Sequence, residues 1–157
     1  MTTIAYKDGV IAYDSRVTRG SLIDHDDYEK LIQRNGHRFL MTGSGCDFTA
    51  LIDEYLGVKL GDKPLEAHGL VVTNGRLFQI GRDTESGFWV DDVWAERPFA
   101  IGSGRDFALA AMDMGATAKE AVEAAAKRDV YTGGTIRTLI IDDGRADAKT
   151  TPADVTA

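Results

Sequence analysis

The sequence predicts an α+β fold of antiparallel sheets with helices on their outside. Three observations carry this. Strand-like runs arrive in pairs around the dipeptides Asp8-Gly9 and Asn74-Gly75, which favour two-residue hairpin turns. Helical spacing appears in only three stretches, near 48–56, 105–114 and 117–128. No strand–helix–strand repeat runs along the chain, so a parallel sheet is not expected.

Taken in order, residues 2–6 and 10–14 read as two strands joined at Lys7-Asp8-Gly9. Residues 38–42 form a third strand, closed by Gly43 and Gly45. From Phe48, the apolar residues Leu51, Ile52, Tyr55 and Leu56 fall on one helical face, and Gly57 supplies the stop. Strands at 70–73 and 77–80 flank Asn74-Gly75. The segment 82–97 reads either as a ragged strand pair through Phe88-Trp89-Val90 and Val93-Trp94 or as a turn over the core.

Residues 98–101 form a short strand running into Gly102-Ser103-Gly104, and a helix over 105–114 ends at Gly115. Thr117 N-caps the next helix, with Glu120 three residues on completing a capping box. The last strand is 137–141. A single domain over 1–144 is expected, followed by a polar, loose C-terminal tail over 145–157 that contains Pro152.

At 157 residues the chain is long enough to bury a core without staples. A net charge of -7 and a pI near 4.9 argue against nucleic acid as the main partner, since phosphate binding needs a basic face. Cys46 is the only cysteine, so no internal disulfide forms, which fits a reducing cytosol. It reads as a small core residue at a helix start. No apolar run approaches the roughly 20 residues of a membrane span, and Met1-Thr2-Thr3 lacks the basic start of a signal peptide. A cytoplasmic location and no membrane partner are therefore expected. His25, His37 and His68 are scattered without metal-ligand spacing, and no metal is expected.

A threonine hydroxyl is a poor nucleophile without a base beside it. Cleavage after Met1 gives Thr2 such a base in its own α-amine, whose ordinary pKa is about 7.7–8.0. Alone this is a weak signal, because many chains begin Met-Thr. It gains weight from Asp14-Ser15-Arg16-Val17-Thr18, then Lys30, then Gly43-Ser44-Gly45, Gly102-Ser103-Gly104 and Arg128-Asp129-Val130-Tyr131-Thr132-Gly133-Gly134. This series, in this order, resembles the proteasome β-subunit family, including the HslV peptidases, from Thr2 to about Ile141. The interval from Asp14 to Lys30 is unchanged. The stretch from Thr2 to Asp14 is a few residues shorter, as a tighter first hairpin allows.

The resemblance implies the four-layer αββα sandwich of N-terminal nucleophile hydrolases, with one helical layer reduced, because a single short helix precedes the Asn74-Gly75 hairpin. It implies a threonine endopeptidase that cuts polypeptides through an acyl ester on Thr2 and needs no cofactor. Lys30 is then the cation beside the nucleophile, Asp14 its partner, and Arg16 a structural partner in the same loop. Asp129 and Thr132, the latter where serine is commoner, orient the N-terminal threonine, and Ser103 relays a proton through water. Gly43 offers the oxyanion N–H. Val17, Thr18, Tyr28, Ile32, Met41 and Gly45 line the substrate site, which suits an apolar or aromatic residue before the cut. The resemblance also implies a homo-oligomeric ring and an ATP-dependent unfoldase partner. Two other readings share these residues: an amidase of the same fold acting on a small molecule, and a non-catalytic ring or scaffold subunit in which Met1 stays.

Overall fold

The computed structural model describes residues 1–141, and the tail expected over 145–157 lies outside the described residues. In chain order the elements are β1 (Thr3–Lys7), β2 (Val10–Tyr13), β3 (Val17–Arg19), β4 (Leu22–His25), β5 (Leu31–Arg34) and β6 (His37–Gly43). A 3₁₀ turn (Gly45–Asp47), α1 (Phe48–Tyr55), β7 (Ala67–Thr73), β8 (Arg76–Asp83) and β9 (Gly87–Asp92) follow. The chain continues with β10 (Phe99–Gly102), α2 (Arg105–Asp113), α3 (Ala118–Ala126) and β11 (Arg137–Ile140). Over the described residues they form two compact units, one made of Met1–Lys30 and 94–141, the other of Leu31–Val93.

In the first unit the strand order is β10-β1-β2-β11, antiparallel throughout. Asp8 and Gly9 both take positive φ, 52° and 80°, the signature of a type I′ turn. That turn pairs Lys7 with Val10 and, counting back, Ile4 with Tyr13. The small side chains Ala5, Ala12 and Ala100 let α2 and α3 lie close to the sheet. They share one buried cluster with Ala108, Met112, Ala118, Ala121, Val122 and Ala125. Burying a side chain such as Val122 contributes about 1.5–3 kcal/mol. The expected capping box forms: Thr117 Oγ1 accepts from the Glu120 N–H at 3.2 Å, and Glu120 Oε2 accepts from the Thr117 N–H at 2.8 Å. β3 and β4 pair separately as a short hairpin, with every residue of β4 exposed.

The second unit is a five-stranded antiparallel sheet, β5-β6-β7-β8-β9. Its core joins Phe39, Met41, Val71 and Ile80 from the strands to Leu51 and Ile52 from α1. Phe39 meets Tyr55 edge-to-face with ring centroids 5.5 Å apart, a favoured aromatic geometry. Arg82 forms a largely buried ion pair with Glu54. Among the described residues this unit carries one α-helix, of eight residues, in line with the expected reduction of one helical layer.

Sequence reading placed no strand before residue 38 in this unit, yet β5 is there. Its hairpin to β6 turns on Asn35-Gly36, at φ 51° and 77°, the same chemistry as Asn74-Gly75. The segment left open over 82–97 resolves into the end of β8, a turn and β9. There Asp83 Oδ1 accepts from the N–H groups of both Glu85 and Ser86. Cys46 is exposed rather than in the core, because the turn that carries it buries none of its residues. Among the described residues no helix is long and apolar enough to cross a membrane.

Candidate active site

The hairpin register sets the site. With Ile4 opposite Tyr13, the next pair outward is Thr3 and Asp14, just past the end of β2. Asp14 is fully buried, and its carboxylate is fully used. Oδ1 accepts from Lys30 Nζ at 2.8 Å and from the Thr3 N–H at 3.1 Å. Oδ2 accepts from the N–H groups of Arg16 at 3.3 Å and Gly133 at 3.0 Å. Lys30 is only 8% exposed. Burial pulls its pKa below the ordinary lysine value, and the Asp14 charge opposes that pull. Lys30 Nζ also donates to the carbonyl oxygen of Met1 at 3.1 Å, and so lies against the Met1–Thr2 peptide bond.

A second carboxylate stands on the turn after α3. Asp129 Oδ2 accepts from Ser103 Oγ at 2.5 Å and Thr132 Oγ1 at 2.6 Å, and Oδ1 accepts from the Tyr131 N–H at 3.1 Å. Burial alone pushes its pKa up. The hydrogen bonds from Ser103, Thr132 and Tyr131, with the charge of the terminal amine, more than offset this and hold it below the ordinary value. That amine, here on Met1, is itself held below its ordinary value by burial first and by the Lys30 charge second.

Thr2 is 3% exposed. Its carbonyl oxygen packs against Gly102, which sits at φ 100° where any Cβ would collide with it. Gly104 is equally confined, since a Cβ there would lie 2.6 Å from Thr3 Oγ1. The two glycines of the Gly-Ser-Gly motif thus leave room for the Thr2 carbonyl oxygen and the Thr3 hydroxyl. Arg16 holds Asp26 through two guanidinium nitrogens, at 2.8 and 3.1 Å, and donates to the carbonyl oxygen of Val130 at 3.0 Å. It ties the loop before Lys30 to the turn that carries Asp129.

Of the residues singled out in sequence, Thr2, Asp14, Lys30, Ser103, Asp129 and Thr132 all fall in the first unit. Val17 and Thr18 lie on β3, and Tyr28 is exposed in the following loop. Ile32, Met41, Gly43 and Gly45 belong to the second unit, with Met41 in its core. Sequence reasoning missed Thr3, whose Oγ1 lies 2.5 Å from Thr132 Oγ1 and accepts from the Gly104 N–H at 2.9 Å. The signal was present, because an Asp8-Gly9 turn already pairs residue 3 with residue 14. Among the described residues no three His, Cys, Asp or Glu side chains gather as a metal ligand set.

The fold is that of the proteasome-like N-terminal nucleophile hydrolases. The chain is structurally similar to the BPH protein of Thiobacillus denitrificans. In complex with epoxomicin that protein matches at 20% identity and a TM-score of 0.64, and without it at 21% and 0.63, covering 90% of this chain and 98% of the other in both cases. It is also similar to the eukaryotic HslV of Trypanosoma brucei, at 19% identity and a TM-score of 0.65, over 89% of this chain and 98% of that one. No family model and no curated protein matches the sequence.

Proposed function

We propose that the chain is a proteasome-like threonine endopeptidase, acting through an acyl ester on Thr2 once the Met1–Thr2 bond is cut. One observation carries this reading. Lys30 Nζ, held by buried Asp14, donates to the Met1 carbonyl oxygen at 3.1 Å, so a buried cation stands at the one peptide bond whose cleavage frees the Thr2 amine.

In this mechanism the freed amine takes the Oγ1 proton as Oγ1 bonds to the substrate carbonyl carbon. The same proton passes to the leaving nitrogen as the C–N bond breaks, which leaves an ester. The amine then deprotonates a water that adds to the ester, and collapse returns the proton to Oγ1. Lys30 stabilises the developing alkoxide, with Asp14 keeping it charged. Ser103, Asp129 and Thr132 orient the amine, Gly43 supplies the oxyanion donor, and Val17, Thr18, Tyr28, Ile32, Met41 and Gly45 receive the substrate. No cofactor enters. The reading extends to a cytoplasmic homo-oligomeric ring fed with polypeptide by an ATP-dependent unfoldase. The single short helix of the second unit argues for subunit contacts that differ from the family's usual ones.

Epoxomicin is bound by the Thiobacillus protein, and it is the natural probe. Intact mass of wild type and Thr2→Ala, before and after epoxomicin, tests the assignment. The expected result is loss of Met1 and, on wild type only, one adduct. Met1 retained on protein that hydrolyses peptides overturns the mechanism, and an adduct persisting in Thr2→Ala puts the nucleophile elsewhere.

A further inference from the structure

Thr3 touches both carboxylate networks. Its backbone N–H donates to Asp14 Oδ1 at 3.1 Å, beside Lys30. Its side chain, in a residue with no exposed surface, lies between the Gly104 N–H and Thr132 Oγ1. Donor counting fixes the direction of the chain. A hydroxyl carries one proton, and Thr132 gives its proton to Asp129 Oδ2 at 2.6 Å. The 2.5 Å contact between the two threonine oxygens must therefore use the Thr3 proton. Thr3 Oγ1 in turn accepts from the Gly104 N–H. The order is Gly104 N–H to Thr3, Thr3 to Thr132, and Thr132 to Asp129, with Ser103 donating to the same Asp129 oxygen, Oδ2.

We propose that Thr3 is a positioning residue that joins the two carboxylate centres and locks the Thr132 hydroxyl as a donor to Asp129. The inference rests on the proposed function only for what the site is used for; the chain itself is a property of the folded protein. A hydroxyl that accepts a hydrogen bond donates a stronger one, so Thr3 sets how well Thr132 stabilises the Asp129 carboxylate. Thr3→Val keeps the shape and removes the proton, while Thr3→Ser keeps both the proton and the acceptor. The cations facing Asp129 are the terminal amine and Arg16, and neither substitution touches them.

The test is the titration of Asp129, followed by carboxyl ¹³C resonance on the full chain. In Thr3→Val the Asp129 midpoint moves up by about half a pH unit, and in Thr3→Ser it stays with wild type. Equal midpoints in all three proteins overturn the proposal. Should Thr3→Val not fold, the wild-type protein decides. The Thr3 hydroxyl proton must exchange slowly with water, show a nuclear Overhauser contact to the Thr132 hydroxyl, and shift as Asp129 titrates. A freely exchanging Thr3 proton sinks the idea. None of these readouts needs turnover. An inert chain that shows the shift keeps this inference and discards the peptidase reading, and an active peptidase without the shift does the reverse.

Discussion

Lys30 Nζ lies 2.8 Å from Asp14 Oδ1, with the lysine side chain 7% exposed and the carboxylate not exposed at all. Taking two charges out of water is costly, and in this geometry each ion makes the other tolerable. The pair is therefore fragile to losing one member, and Asp14 is needed as well by the N–H groups of Thr3, Arg16 and Gly133.

Lys30→Ala leaves a buried, uncompensated carboxylate and should destabilise the protein by about 3–5 kcal/mol. Adding Asp14→Asn should recover only the part of that loss due to the buried charge, since its amide nitrogen then faces backbone N–H donors; the coupling is readable from urea midpoints in a double-mutant cycle. Activity behaves differently. It should fall by about 10²–10³ in kcat with Lys30→Ala and not return in the double variant, because the cation is still missing. Recovery of turnover together with stability would mean that Lys30 is structural only.

Asp129 gives the site an acid dependence whose sign follows from its partners. Its folded pKa lies below the ordinary value because the donors from Ser103, Thr132 and Tyr131 prevail over burial. Its stabilising contribution is thus complete above the unfolded pKa of about 3.9 and is lost as pH falls through the lower folded value. Within that window the unfolded chain binds the proton first. Asp129→Asn should lower stability at neutral pH and flatten this part of the acid limb. Urea midpoints measured from neutrality into the acid range check it, and an unchanged limb would count against the carboxylate being ionised in the folded protein.

The hairpins and helices were legible because their signals are local. Asp8-Gly9, Asn74-Gly75 and the Thr117–Glu120 capping box each work through backbone within four residues. Asn35-Gly36 carried the same signal and was passed over because charged and polar residues surround it, Gln33, Arg34, His37 and Arg38. The site was legible as a series of motifs but not as a network. Thr132 and Thr3 are 129 residues apart, and no periodicity links them. The glycines of the motifs had steric causes that only the folded backbone reveals, and Cys46 read as core because its neighbours Gly45 and Phe48 gave no hint of a surface turn.

Specificity offers a check on the substrate assignment. If Val17, Ile32 and Met41 receive the substrate as proposed, an arginine or aspartate before the cut loses hydration without meeting an opposite charge. Fluorogenic peptides ending in Leu, Tyr or Phe should exceed those ending in Arg or Asp by at least about 100-fold in kcat/KM. A preference for Arg or Asp would remove these residues from the substrate site, and cleavage of small amides alone would favour the amidase reading.

Two glycines with nearly the same φ differ in what a side chain would meet. Gly102 sits at φ 100° and Gly115 at φ 104°, a region that L side chains rarely adopt. A Cβ on Gly115 meets nothing within 4 Å, whereas one on Gly102 runs into the Thr2 carbonyl oxygen. Gly115→Ala should therefore cost only the backbone penalty of about 1–2 kcal/mol and leave peptide hydrolysis intact. Gly102→Ala has a conformational cost too and must also displace the Thr2 carbonyl oxygen. Its urea midpoint should fall well below that of Gly115→Ala. On the proposed reading its turnover should be lost even under conditions where it is fully folded, because the Thr2 carbonyl is displaced from its seat against Gly102. Matching midpoints and matching activity in the two variants would show that Thr2 is not held by Gly102, and the steric account of the Gly-Ser-Gly motif would have to be abandoned.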